Sequence, residues 1–279
     1  MPSMKIIKRR IASVSNTKQI MKAMDLVATS KLQRIQIRLN AIRPLFDETK
    51  RVMGGVKDFE GKSTNIFLKS REVKNTAYIV ITSDRGLCGG YNVNVSKAAL
   101  SHMLTGKREK MIAVGLKGWE YFNRRRKNIL QRYVGVSETA LFDDAERIGG
   151  LLASLFKSGE IDEAYVVYTH FESMLSHVPR VERILPVGGS PTTGGIMQYE
   201  PDIDTYLEEA IPTYLSVFIH GAMVESNACE QASRMMSMDS AANNAAEIIE
   251  GLTLEYNRKR QSIITQEITE IVSGANALQ

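Results

Sequence analysis

Residues 77-AYIVITSDRGLCGGYN-92 set the fold of this 279-residue chain, because they join a buried strand to a glycine-rich turn. The strand segment 77–82 begins with five apolar residues, a run typical of a strand covered on both faces. The turn Ser83–Gly90 contains three glycines, which permit a sharp change of backbone direction. A helix is predicted near 92–104, so this stretch begins a βα unit.

The residues that follow continue to alternate between strand and helix patterns. Further strands are predicted at 111–115, 164–171 and 181–187, and further helices at 117–125 and 142–157. Such alternation favours a mostly parallel sheet with helical cover. We therefore predict a Rossmann-like, mostly parallel α/β domain at 72–195, which ends in a glycine-rich loop at 188–195.

The segment before this domain has the pattern of one long helix over residues 2–53. Its apolar or small residues recur at steps of three or four, with one step of seven, at Ile7, Ile11, Val14, Met21, Met24, Ala28, Leu32, Ile35, Leu39, Ile42 and Phe46. This is a heptad-like seam, which predicts a coiled coil. Pro44 should bend the helix or mark its last turns, and Gly54-Gly55 should end it. A helix of this length, about 75 Å, needs a partner along its seam.

The segment after the domain is a second long helix. Pro212 suits a first helical turn, and no proline interrupts Thr213–Ile271. Neither long helix has another partner in the sequence, so we predict that they pack antiparallel. The predicted fold is therefore an α/β domain at 72–195 inserted between two coiled-coil helices, at 1–55 and 205–279.

The charge is unevenly distributed. Residues 1–51 hold twelve Lys/Arg and three acidic residues, a net charge of +9, whereas the whole chain carries +5. A basic arm of this kind favours an acidic protein surface, an anionic lipid or a nucleic acid, and it is also compatible with a solvated helix face. A basic coiled coil that binds nucleic acid through residues 5–43 is one alternative function.

A second alternative is a nucleotide-binding regulatory domain that uses Ser83–Gly90, with the helices serving for dimerisation. A glycine-rich turn at a helix N-terminus could present N–H groups to a phosphate. The turn matches neither GxGxxG nor GxxxxGK[ST], and no Lys-Ser/Thr follows its glycines after Arg85. A tight structural turn is therefore the favoured interpretation.

Other residue types that carry chemistry give weak signals. Cys88 and Cys229 form no CxxC pair, and the spacing of His170, Glu172 and His177 fits no common metal site. The basic run 124-RRRK-127 is interpreted as a solvated helix end. The N-terminus lacks the apolar core of a signal peptide, and no run approaches the ~20 apolar residues of a membrane span.

The end of the second long helix combines charged and amide groups with a regular apolar pattern. Arg260, Glu267 and Glu270 lie at intervals of seven and three, so they share one helix face. Polar groups at a seam position lower stability unless they meet a partner. This end is therefore predicted to contact another chain.

Three segments together resemble one family, the gamma subunit of bacterial-type F-type ATP synthases. They are 15-SNTKQIMKAMDLVATSKL-32, 82-TSDRGLCGGYN-92 and 262-SIITQEITEIVSGA-275. They occur in the order and spacing of the family, and the resemblance covers the chain from end to end.

The resemblance implies a non-catalytic shaft subunit of the proton-translocating enzyme, with no cofactor, metal or small-molecule ligand of its own and no nucleic-acid partner. Its implied partners are three alpha and three beta subunits, epsilon and the membrane c-ring, at the cytoplasmic face of a bacterial plasma membrane. The residues implied to contact beta subunits are Lys22, Met24, Arg234, Arg260, Gln261, Thr265 and Glu267.

Overall fold

A computed structural model describes residues 3–56, 63, 65–103, 108–188 and 202–277 of the chain. The chain forms two compact units. The first unit combines Met1–Ala28 with Met235–Gln279, and the second is Thr29–Arg234. Two helices contribute to both units: α1, Met4–Gly55, and α5, Ile203–Ala277.

These two helices confirm the prediction of long terminal helices. α1 continues through Pro44 and ends at Gly55, so the predicted stop is confirmed. α5 begins nine residues before Pro212, which lies inside the helix rather than in its first turn. None of the helices within the described ranges is long and apolar enough to cross a membrane.

The second unit contains a five-stranded sheet in the order β3-β2-β1-β4-β5. The first four strands are parallel, and β5 runs antiparallel to β4. The strands are β1 Asn75–Ile81, β2 Arg108–Val114, β3 Ile129–Tyr133, β4 Glu163–Phe171 and β5 His177–Leu185; the helices between them are α2 Tyr91–Met103, α3 Leu116–Asn123 and α4 Phe142–Lys157.

The sheet differs from the sequence prediction at two strands. β3 was not predicted, because its sequence ILQRY is short. In the structure this strand is only partly buried. β5 begins four residues before the predicted strand, since it forms a hairpin with β4 through residues 172–176. The predicted loop at 188–195 lies outside the described residues beyond Gly188.

The core of the sheet follows the predicted pattern. Six of the seven β1 residues are buried, as expected of a central strand covered on both faces. Tyr78 and Val80 pack in one cluster with Val95 of α2 and Phe122 of α3. The βα units are therefore joined through the central strand that the opening sequence motif predicted.

Within the second unit, α1 and α5 pack closely together. The Phe46 and Phe218 rings lie 5.2 Å apart. A Cβ added to Gly221 would lie 2.4 Å from Cδ2 of Phe46, so the glycine makes room for this ring. Residues 214–232 of α5 are buried on every face except at His220, which is half-buried.

Candidate functional site

In open α/β sheets, ligands bind outside the carboxyl ends of the strands, where the strand order reverses. That point lies between β1 and β4, which pair in parallel. Here the position is occupied by α5. The Thr169 N–H donates to Ser226 Oγ at 3.2 Å, and the Cys229 thiol donates to the Thr169 carbonyl at 3.4 Å.

The glycine-rich turn beside this position is also filled by the chain itself. The Ser83 N–H donates to Asn92 Oδ1 at 2.9 Å, and Asn92 Nδ2 donates to Ser83 Oγ at 2.7 Å. Asp84 accepts hydrogen bonds from the Leu116 N–H at 3.0 Å and the Ser137 hydroxyl at 2.7 Å. These contacts fix the turn from within the chain, and the Asp84 carboxylate places a negative charge beside it, which counts against the nucleotide-binding alternative.

The two cysteines lie in this region as buried free thiols. Cys88 and Cys229 form one apolar cluster with Tyr91. Burial raises the pKa of both thiols, so neither is an activated nucleophile. The structure therefore favours a packing role for them.

Arg234, one of the predicted contact residues, lies in a buried network of the second unit. It is 8% exposed, and its guanidinium donates to Glu230 at 2.8 Å, to Gln231 at 3.0 Å and to the Gly86 carbonyl at 3.4 Å. Burial raises the pKa of Glu230 above its ordinary value, and the neighbouring Arg234 offsets only part of this rise. Arg234 thus connects α5 to the glycine-rich turn within its own chain.

A second polar network joins α1, α5 and β4. Glu225, only 2% exposed, accepts from Arg43 at 3.3 Å, and its other oxygen lies 2.8 Å from His170 Nδ1. Arg43 also donates to the Phe171 carbonyl at 2.9 Å. Glu225 was not identified from the sequence, although an acidic residue in a stretch rich in large apolar residues is a signal of such a network.

A third network surrounds the loop before α4. Lys31 forms an ion pair with Glu138 and lowers the pKa of that carboxyl. Arg38 donates to the Thr139 carbonyl at 2.6 Å, and Asn227 donates to the Glu138 carbonyl at 2.8 Å. Part of the basic charge of α1 is therefore used inside the second unit.

His170, Glu172 and His177, whose spacing fits no common metal site, each have a separate partner in the structure. His170 faces Glu225, His177 lies 3.3 Å from Ser233 Oγ, and Glu172 accepts from Ser176. Within the described ranges, no three His, Cys, Asp or Glu side chains are grouped so that they could hold a metal ion.

The other predicted contact residues lie in the first unit. Lys22 is exposed and Met24 is half-buried on α1. In that unit one face of α5 is sheltered, because buried or half-buried residues recur at steps of three and four from Met235 to Ile263. Residues 264–273 are all exposed. The predicted residues Thr265 and Glu267 lie in this exposed segment, and Arg260 and Gln261 are exposed just before it.

Large apolar side chains are also exposed on this segment. Ile264, Ile268 and Ile271, at helical steps of four and three, are 46%, 55% and 71% exposed. The cations of α1 in this unit have no ion pair among the described residues; they are Lys5, Lys8, Arg9, Arg10, Lys18 and Lys22. Among the described residues of the first unit, exposed polar, apolar and cationic groups therefore occur together.

Comparisons with known proteins give consistent matches. A family model described as ATP synthase matches residues 3–278. The ATP synthase gamma chain of Alkaliphilus metalliredigens is 44% identical over 99% of both chains. The gamma chain, sodium ion specific, of Acetobacterium woodii is 40% identical over 98% of this chain and 97% of its own. A chain of the Euglena gracilis mitochondrial ATP synthase OSCP/F1/c-ring structure, 17% identical, has the same fold with a TM-score of 0.72 over 99% of this chain and 94% of its own.

Proposed function

The chain belongs to the ATP synthase gamma-chain family, and on that premise we propose that it is the central rotor shaft of a proton-translocating F-type ATP synthase. In this role it contributes no catalytic group. It couples proton flow through the membrane sector to ATP synthesis or hydrolysis at beta-subunit sites. An asymmetric shaft does so by contacting the three sites differently, which changes their relative free energies.

The observation that carries this proposal is the change of environment along α5. The helix continues from Ile263 to Ala277 although no face of residues 264–273 is sheltered. A helix end whose large apolar side chains are exposed on every side is poorly stabilised in water. Enclosure by a ring of other subunits would supply the missing contacts.

We propose that the first unit is an antiparallel coiled coil. The more sheltered positions of α1 recur at steps of three and four, with Lys18 filling the skipped seam position. The sheltered positions of α5 recur at the same steps from Met235 to Ile263. The proposed division is a coiled-coil helix at 1–55, a Rossmann-like domain at 72–195 and a second coiled-coil helix at 205–279.

The proposed beta contacts are Lys22, Met24, Arg234, Arg260, Gln261, Thr265 and Glu267. Exposure supports Lys22 and the four residues near the C-terminus, which have free hydrogen-bonding capacity. Arg234 is the exception, because its own chain already uses it. A beta-subunit contact there would have to share the guanidinium with Glu230.

The proposed partners are the alpha and beta subunits in a ring of three each, epsilon and the c-ring. The proposed location is the cytoplasmic face of a bacterial plasma membrane, by peripheral association through the complex. One relative is named as sodium ion specific. ATP synthesis by the reconstituted complex, driven by a proton gradient with and without sodium, tests the proposed coupling ion.

Combining Arg260→Ala with Glu267→Ala tests the contact residues. Two charge-assisted hydrogen bonds are each worth about 1.5–3 kcal/mol. Their loss from one rotary state should lower the turnover of the assembled complex by about a hundredfold or more. Nucleotide binding to isolated beta subunits should not change, because the variant removes no catalytic group.

The matched control combines Glu255→Ala with Arg258→Ala, which removes the same two residue types from exposed positions on the same helix. This control should retain turnover. Normal turnover of the Arg260 and Glu267 variant, with full assembly, would place coupling in the bulk shape of the shaft and not in these residues.

A further inference from the structure

Helix α3 and strand β3 together form a strongly basic corner of the second unit, defined here as the α3–β3 corner, residues 116–133. This segment contains six Lys/Arg and one acidic residue, Glu120, a net charge of +5. The run 124-RRRK-127 supplies four of the cations. The proposed beta contacts use none of them.

Only the lysines of the corner are neutralised. Lys117 pairs with Glu120 at 2.9 Å, and Lys127 pairs with Glu109 of β2 at 2.5 Å. The four arginines, by contrast, have no carboxylate partner in the described parts of the chain; they are Arg124, Arg125, Arg126 and Arg132. All four side chains belong to exposed residues.

Two of these guanidinium groups are held in fixed orientations. The Arg125 group lies 3.7 Å from the centre of the Tyr121 ring and also donates to the Tyr121 carbonyl at 3.1 Å. The Arg132 group lies 4.7 Å from the centre of the Trp119 ring. Stacking on an aromatic ring leaves the guanidinium edge, with its donors, directed away from the ring.

This arrangement fits a carboxylate-rich polypeptide better than a lipid surface. A planar guanidinium binds a carboxylate through two parallel hydrogen bonds, and a fixed plane loses less entropy when it does so. An anionic membrane needs only net positive charge, which flexible lysines provide as well. Trp119 and Tyr121, the aromatic groups that could insert into a bilayer, are already covered by arginines.

We propose that the α3–β3 corner is the docking surface for an acidic polypeptide segment of another subunit. Strand β3 is an edge of the sheet, so it is reachable by a second chain. On the proposed rotary function, a stable contact here must be with a subunit that turns together with this chain. The choice of a co-rotating subunit rests on the proposed function, whereas the preference for an acidic segment does not.

The test uses the assembled complex with the photocrosslinking residue benzoylphenylalanine in place of Asn123, an exposed position beside the arginines. Irradiation should crosslink the chain to an acidic segment of one co-rotating subunit, identified by mass spectrometry. Replacing the three arginines (Arg124→Gln, Arg125→Gln, Arg126→Gln) should lower the crosslink yield about tenfold. The control replaces three dispersed exposed lysines (Lys74→Gln, Lys97→Gln, Lys157→Gln) and should leave the yield unchanged.

Crosslinks to phospholipid, to a stationary subunit or to a segment without acidic residues would overturn the inference, as would an unchanged yield in the arginine variant. Arg132→Gln alone provides a milder variant, with an intermediate loss of yield expected, if the triple variant does not fold. Failure of the unmodified chain to assemble with an alpha–beta ring would instead contradict the proposed function.

Discussion

Helix α5 passes from a segment enclosed by its own chain, residues 214–232, to a segment that is increasingly exposed, and its local sequence does not distinguish these environments clearly. Residues 214–232 are surrounded by their own chain, and their charged side chains Glu225 and Glu230 have partners in that chain. From Met235 onward only one face is sheltered, and after Ile263 none is. The comparison shows that a polar residue in a long helix can serve an internal network or an external partner, and burial by the rest of the chain decides between them.

Amide hydrogen exchange on the full chain without partners gives the largest expected contrast. Amides in 214–232 should exchange only through global unfolding, which costs about 5 kcal/mol or more, whereas those in 264–273 should exchange by fraying at little cost. The exchange rates should differ by more than about a thousandfold. Slow exchange throughout 264–273 would mean that the helix end is stable alone and needs no enclosing partner.

Replacing arginine in each region gives the next largest contrast. Arg234→Met leaves Glu230 buried without its partner, which should lower the free energy of unfolding by about 3–5 kcal/mol. Arg260→Met changes an exposed residue and should lie within about 0.5 kcal/mol of the unmodified chain. Denaturant unfolding of both variants measures the difference.

The double variant Glu230→Gln with Arg234→Met serves as the control for a buried charge. It should recover part of the loss, because burial of an uncharged amide costs less than burial of a carboxylate. A loss equal to that of the single variant would assign the effect to side-chain packing and not to the ion pair.

The sequence predicted the frame of the molecule because its periodicity is regular. The heptad steps of α1 and the apolar run of β1 correspond to elements in the structure. β3 was missed because an edge strand of five residues lacks a long apolar run. Placing Pro212 in the first turn of α5 was wrong, because proline is compatible both with a first turn and with a helix interior that tolerates its missing N–H.

The site was less predictable than the fold, for a physical reason. Arg234 and Arg260 have the same chemistry and lie on the same helix, but tertiary packing buries Arg234 and leaves Arg260 exposed. Likewise, the charge of α1 gave no sign that Lys31, Arg38 and Arg43 are engaged within the second unit. Sequence reasoning gives the position of a group along an element, whereas its partners depend on segments far away in the chain.

Gly221 and Gly251, both within α5, test the comparison at a smaller scale. A Cβ at position 221 would lie 2.4 Å from Cδ2 of Phe46, whereas at position 251 it would meet nothing within 4 Å. Gly221→Ala should therefore lower the free energy of unfolding by about 1–3 kcal/mol through overpacking. Gly251→Ala should raise it by up to about 1 kcal/mol, because alanine favours the helix.

Thermal unfolding of the two glycine variants provides the measurement. Combining Gly221→Ala with Phe46→Leu should recover part of the loss, since the smaller side chain leaves room for the methyl group. Opposite signs at the two positions support the comparison. A stabilising Gly221→Ala would show that the Phe46 side chain can move to make room for the methyl group. Residues 214–232 would then be less tightly packed than their burial indicates.

The smallest expected effect is the pH dependence of the free energy of unfolding that arises from His220, within residues 214–232. Burial, and secondarily Arg38, lowers the pKa of His220 below its ordinary value of 6.5. Its Nε2 lies 2.9 Å from Arg38 Nη2 and 3.1 Å from the Ala140 carbonyl oxygen, and its ring lies against Phe142, so no carboxylate among these neighbours would stabilise an added proton.

As the pH falls below 6.5, the unfolded chain therefore binds a proton at this position before the folded chain does. The free energy of unfolding should decrease between pH 6.5 and the lower pKa of the folded state, and then become independent of this group. His177, whose pKa burial also lowers, adds to the same slope. Urea unfolding at several pH values should show a shallower slope for His220→Gln, and shallower still when His177→Gln is added. A slope that neither replacement changes would assign the acid sensitivity to carboxylates such as Glu138, whose lowered pKa makes stability fall only at a lower pH.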